Sequence, residues 1–334
     1  MSSSAMQQAK PWKIAFEEHF LLRGVETKLP GRAGIIPDIA EKLRKILEVG
    51  EERIAAMDRA GIEFTILSLN APGIQGEVEP IHAVRLAKTV NDELAALVSK
   101  HPKRFGGFAA VPLQEPKAAA DELERAVRQL GFKGALVNGY SNLGDENTAE
   151  YLDEPKFLPF WERAQDLDVP IYLHPRDPLP TQQRIYHGHP ELLAATWAFG
   201  VETGTHVLRL ITSGLFDRYP RLTVLLGHLG EMVPFTVWRT EKCLSQTQLE
   251  RPLKKRFSQY VCENFYYTTA AFFSTTALID VMLEVGSDRI CFSIDYPWQS
   301  MEEGGAWFDG ASISEPDRLK IGRTNAMNLF KLNL

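Results

Sequence analysis

The chain has 334 residues, with 37 Lys and Arg against 43 Asp and Glu, a net charge of −6, 44% hydrophobic and 24% charged residues. These ordinary globular proportions exclude disordered and fibrous classes, and the acidic balance argues against a nucleic-acid partner. No run approaches the roughly 18–20 apolar residues of a membrane span, and Cys243, Cys262 and Cys291, without C-x-x-C spacing, make neither a disulfide framework nor a zinc cage.

The first ten residues, MSSSAMQQAK, have no apolar stretch and read as a polar, disordered leader, which gives a cytoplasmic expectation. Residues 11–334 read as one domain, because no linker or repeat divides them. Apolar, β-rich runs occur at 13–20, 64–69, 105–113, 134–138, 169–174, 222–228, 265–269 and 290–295. Between them, residues 81–99, 116–131, 157–166, 190–216, 273–285 and 316–330 carry helical period. The segment at 116–131 is typical: Pro116 at its start, Ala119, Leu123, Ala126, Val127 and Leu130 on one face, and Gly131 to close it.

Runs such as Ile171-Tyr172-Leu173 and Leu222–Leu226 are continuously apolar, as parallel strands covered on both faces should be. Eight β-then-α units close most economically into a (β/α)8 TIM barrel with extra helices, an open doubly wound sheet being the competing topology. Two long connections, 26–59 and 175–218, could overhang a pocket, and the prolines that begin the second suit a stiff loop better than a helix.

In a barrel, chemistry stands at the C-terminal ends of the strands. Four predicted strands end in ionisable groups: Glu17-Glu18-His19, His174, His228 and Asp295. Glu17 and His19 are two apart and share a face, while Glu18 points the other way. Imidazole and carboxylate donors suit Zn²⁺ or Mn²⁺, so Glu17, His19, His174 and Asp295 form a candidate mononuclear metal site. Each of these residues alone could be a structural histidine or a helix cap; four at one rim point to function. His228 and Glu231, three apart, form a candidate acid–base dyad across the first turn of a helix. His82, His101 and His206 in helical segments, and His187 and His189 in a loop, read as structural.

Further segments run nearly end to end: EEHF (17–20), LSLNAPGIQ (67–75), GFKGALVNG (131–139), YLHPRDPLP (172–180), TWAF (196–199), SGLFDRYP (213–220), GHLGE (227–231), FSIDYPW (292–298) and IGRTNAMNLFKL (321–332). With them the chain resembles the amidohydrolase superfamily, in its branch of metal-dependent decarboxylases of hydroxylated benzoic acids. The resemblance implies one divalent ion per subunit, Zn²⁺ or Mn²⁺ first and Mg²⁺ admitted, held by Glu17, His19, His174 and Asp295, and no organic cofactor. It also implies a homotetramer without membrane or nucleic-acid partners, acting on a small aromatic acid. His228 and Glu231 match the family's catalytic pair, Arg239 matches an arginine reaching a neighbouring subunit's site, and Asn70 and Trp298 match positions beside the substrate ring.

The implied reaction is non-oxidative decarboxylation of an ortho-hydroxybenzoate, 2,6-dihydroxybenzoate to resorcinol or an analogue such as 2,3-dihydroxybenzoate or salicylate, reversible as phenol carboxylation. Protonating the ring carbon first avoids an aryl anion, and Asp295 is the candidate donor. Two departures touch the expected pocket rim: Ala270-Ala271 stands where close family members carry Ser-Gly, and an aromatic residue is replaced near Ile35. The alternative activity is a mononuclear metal-dependent hydrolase of an ester, lactone or amide. A binuclear hydrolase is disfavoured because the fourth strand ends in Val137-Asn138, with no group to bridge two ions.

Overall fold

The computed structural model describes residues 12–24 and 36–334; the leader at 1–10 and Ile35 lie outside them. Its barrel strands are β1 (Lys13–Phe20), β2 (Ile62–Leu69), β3 (Phe105–Gly107), β4 (Ala135–Asn138), β5 (Ile171–His174), β6 (Val224–Leu226), β7 (Phe265–Thr268) and β8 (Ile290–Cys291). All pair in parallel, as a three-stranded sheet β1-β2-β3 and a five-stranded sheet from β4 to β8.

Two seams join these sheets into a barrel. Ala109 bridges Ala135, with Leu136 N–H donating to Ala109 O at 3.1 Å. Glu18 bridges Tyr296, with His19 N–H on Tyr296 O and Asp295 N–H on Glu17 O, each at 2.8 Å. The second seam is therefore stitched by the residues expected to carry the chemistry. Inside the barrel Phe16, Phe108, Tyr172 and Phe330 pack edge to face around Ile14, Ile66 and Leu225, a solid floor beneath the mouth.

The helices are α1 (Ile39–Ile46), α2 (Glu51–Arg59), α3 (Pro80–Lys100), α4 (Pro116–Leu130), α5 (Leu158–Leu167), α6 (Ala198–Thr212), α7 (Leu215–Arg218), α8 (Val233–Leu244), α9 (Phe257–Glu263), α10 (Thr275–Val285), α11 (Met301–Gly310), α12 (Glu315–Leu319) and α13 (Asn325–Phe330). Gly131 ends α4 with φ +74°, the left-handed cap its position predicts. Among the described residues, no helix is long and apolar enough to cross a membrane.

Three expectations need correction. The helix over 190–216 is two 3₁₀ turns, Pro190–Leu192 and Ala194–Thr196, before α6 and α7; Ala194 at φ +50° interrupts any continuous helix. The helix over 316–330 is divided by a π turn, Lys320–Thr324, where a Cβ on Gly322 would meet the Trp12 ring at 2.6 Å. The runs ending at 228 and 295 leave the ladder at Leu226 and Cys291: His228 is left-handed (φ 52°), and beyond Cys291 the amides of Phe292, Ser293 and Ile294 donate to Ile321 O, Thr269 Oγ1 and Glu18 Oε1 before Asp295 turns left-handed (φ 76°). An antiparallel hairpin, Ser141–Leu143 with Asp145–Glu150, carries no apolar alternation and escapes the sequence pattern.

Candidate active site

A bulge sets the phase of β1. Ala15 pairs with Thr65 and Glu18 with Leu67, three residues on β1 against two on β2. After Ile14 and Phe16 face the barrel interior, the extra residue lets Glu17 and His19 face it too, and turns Glu18 outward. Glu17 then reaches across the mouth to Tyr172 on β5 and Thr268 on β7.

Glu17, His19, His174 and Asp295 are all buried, and one donor atom from each lies within 4.8 Å of all the others. His19 Nε2 is 3.0 Å from Asp295 Oδ1, and His174 Nε2 is 3.6 Å from Glu17 Oε1. None of the buried atoms Glu17 Oε1, His19 Nε2 and Asp295 Oδ1 makes a well-aligned hydrogen bond, although the last two face each other. Buried polar atoms are normally satisfied, and three orphaned donors converging on one point fit a divalent cation.

On Glu17 and His19 the atoms facing away from that point are held firmly. Tyr172 O–H and Thr268 Oγ1, the latter at 2.9 Å, both donate to Glu17 Oε2, leaving Oε1 free. Ser68, paired with His19 across the β1–β2 ladder, meets its Nδ1 at 3.1 Å and leaves Nε2 for the site. Gly227 has no side chain because a Cβ there would lie 2.7 Å from Glu17 Oε2. The sequence reading missed all of these. Tyr172 could have been found by parity, two residues before His174, but Ser68 and Thr268 required the strand register.

His228 Nδ1 contacts Glu231 Oε1, as the spacing predicts, but not on a helix. Residues 228–232 have φ of 52°, 55°, 90°, 51° and 68°, a left-handed turn that precedes α8. His228 Nε2 stands 3.5 Å from Glu17 Oε1 and 3.9 Å from Asp295 Oδ2. Burial opposes a charged ring, but the carboxylates of Glu231 and Glu17 outweigh it and raise His228 well above the ordinary imidazole range. Burial would raise the Asp295 carboxyl, yet His19 and His228 beside it hold it below its ordinary value. Burial and the neighbouring His19 keep His174 well below its usual value, so it is a neutral donor.

Asn70 and Trp298 come together at the rim, Trp298 Nε1 donating to Asn70 Oδ1 at 2.8 Å. Lys42 of α1, another residue the sequence did not mark, donates to Trp298 O at 2.5 Å and Pro297 O at 3.4 Å. Arg239 sits on the exposed face of α8 and joins none of these contacts. Ala270 is buried and Ala271, at φ 52°, donates its N–H to Ile294 O at 3.1 Å.

The amidohydrolase profile matches residues 27–332. The chain belongs to the amidohydrolase family. Within it, the chain is 49% identical over 325 residues to the gamma-resorcylate decarboxylase of Rhizobium sp. (strain MTP-10005), covering 96% of this chain and 98% of that one. The crystal structure of a 2,6-dihydroxybenzoate decarboxylase complexed with 2,6-dihydroxybenzoate superimposes with a TM-score of 0.90 at 48% identity, covering 96% and 99% of the two chains. A dihydroxybenzoic acid decarboxylase from Polaromonas sp. JS666, with bound manganese and the inhibitor 2-nitroresorcinol, gives a TM-score of 0.91 at 49% identity, covering 97% and 98%. These relatives share the fold of this chain over nearly its whole length.

Proposed function

We propose that this amidohydrolase is a metal-dependent decarboxylase of ortho-hydroxybenzoic acids, 2,6-dihydroxybenzoate or a close analogue, with Glu17, His19, His174 and Asp295 as ligands. The convergence of unpartnered Glu17 Oε1, His19 Nε2 and Asp295 Oδ1 beside His174 carries this reading. The likeness to decarboxylases of this substrate class and the manganese in a relative support it. A divalent ion there would bind the substrate's carboxylate and ortho-oxygen and keep the ring in register.

The side chains do the proton chemistry. Asp295 is a carboxylate in the free protein, so to act as donor it must first accept a proton, from the substrate phenol or from His228 across 3.9 Å. It then delivers that proton to the ring carbon bearing the carboxylate. The carbon–carbon bond breaks, CO₂ leaves, and the bonding pair restores the aromatic ring. Glu231 fixes the His228 ring through Nδ1 and directs Nε2 into the site. Asn70 and Trp298, joined by their own hydrogen bond, would flank the ring of the substrate. Raised bicarbonate would run the sequence backwards.

We also infer a homotetramer in which Arg239 serves a neighbouring subunit's site. Its helix presents Phe235 and Trp238 to the surface, Trp238 at 77% exposure, an apolar face of the kind that subunit contacts cover. One domain over 11–334 accords with the start of β1 meeting the C-terminal helical segment, Arg323 Nη1 donating to Trp12 O at 2.7 Å.

The test is CO₂ release from 2,6-dihydroxybenzoate, 2,3-dihydroxybenzoate and salicylate, with benzoate as a control lacking the ortho hydroxyl. Turnover of at least one hydroxybenzoate and none of benzoate supports the proposal. Ester or lactone hydrolysis without CO₂ release overturns it in favour of the hydrolase.

A further inference from the structure

Glu18 turns away from the site, yet its carboxyl group grips the chain on either side of Asp295. Ile294 N–H donates to Glu18 Oε1 at 3.0 Å and Tyr296 N–H donates to Oε2 at 3.2 Å. Glu18 is fully buried, so both bonds are shielded from water.

The segment it grips has left the sheet. The β8 ladder ends at Cys291, and Asp295 is held at φ 76°, a conformation that a non-glycine residue keeps only when its surroundings impose it. Asp295 N–H on Glu17 O fixes the residue itself, and the Glu18 fork fixes its two neighbours. Fully buried Arg53 lies over the Tyr296 ring at 4.9 Å, anchored on Lys45 O at 3.2 Å, and closes the clamp from behind.

We propose that Glu18 is a positioning residue that sets the placement of Asp295 in the ligand set. This rests on the metal-site reading given above. The same β1 bulge thus sends adjacent carboxylates to two tasks: Glu17 to the ion, and Glu18 to the backbone that carries the opposite ligand.

The experiment compares the full-length wild type, Glu18→Asp and Glu18→Gln. Glu18→Asp keeps the carboxyl group but is one methylene too short to span both amides; Glu18→Gln keeps the length but replaces one oxygen acceptor with an NH₂. Mn²⁺ binding to the metal-free protein is read from the loss of the free-ion signal in electron paramagnetic resonance, beside the Tm without metal. The expected result is a wild type that binds Mn²⁺ and a folded Glu18→Asp chain with Mn²⁺ affinity lowered roughly 10–100-fold. At saturating metal its kcat falls at least about tenfold with KM within about threefold, a split that general loosening would not give. If Glu18→Asp does not fold, Glu18→Gln is held to the same criterion. Affinity and kcat within about twofold of wild type in a folded variant overturn the positioning role alone. A wild type that binds no Mn²⁺ overturns the metal site and this role with it.

Discussion

His228 Nδ1 meets the Glu231 carboxylate across a turn in which every residue from 228 to 232 is left-handed. Four of those five residues are not glycine, and each such conformation costs roughly 1–2 kcal/mol in an L-residue. Backbone strain of this kind persists where the surroundings over-determine it, typically at functional sites. Here it brings the imidazole over the barrel mouth with its other nitrogen 3.5 Å from Glu17. Glu231→Gln, which keeps the shape and removes the charge, should lower kcat by about 10²-fold or more while the chain stays folded. Decarboxylation rates with circular dichroism check this; an unchanged kcat removes the pair from the chemistry.

Tyr172→Phe should weaken the metal site without unfolding the barrel. The hydroxyl holds Glu17 Oε2 together with Thr268, and its loss frees the carboxylate to rotate. Outer partners of metal ligands are worth roughly 10–100-fold in affinity or activity. Metal titration of the variant reads the effect directly.

Lys42 ties α1 to the backbone of Pro297 and Trp298, next to Asp295, and brings positive charge to the rim. Lys42→Met should raise KM for an anionic benzoate about fivefold, roughly 1 kcal/mol, with kcat little changed. The wild-type KM should also rise with ionic strength more than the variant's does.

Ala271 holds φ 52° at the rim after β7. Ala271→Gly should relieve that conformation and raise stability by up to about 1 kcal/mol, less the extra freedom glycine gives the unfolded chain. The midpoint of urea unfolding measures it.

His206 accounts for part of the acid sensitivity. It is fully buried, its Nε2 accepts Leu152 N–H at 3.0 Å, and burial depresses its pKa to about 3. The unfolded chain takes up a proton near pH 6.5 and the native chain does not, so this contribution is intact above about 6.5 and is lost as the pH falls. By about pH 4.5 the loss is roughly 3 kcal/mol, two pH units at about 1.4 kcal/mol each, and His206→Gln should show a correspondingly flatter acid limb in pH-dependent unfolding.

The proposed ligand set is legible in the sequence because the barrel rule directs attention to the ends of the predicted strands, where EEH, His174 and Asp295 all fall. The parity that put Glu17 and His19 on one face was right locally, although a bulge alone makes that face the interior. Glu18 was missed because its partners are backbone amides 276 and 278 residues away, which no side-chain pattern announces. The turn at 228–232 was read as helix because spacing of three suits either hand; only the φ angles distinguish them. Residues 190–216 carry helical period but begin with a proline after a loop, and the chain takes up 3₁₀ turns there until Ala198.

The most direct test follows CO₂ release from 2,6-dihydroxybenzoate by chelator-treated protein as Mn²⁺ is returned. Activity should be absent without the ion, rise to a plateau at about one Mn²⁺ per chain, and fail to return in Asp295→Asn or His174→Ala. Full CO₂ release from thoroughly metal-free protein would contradict the account.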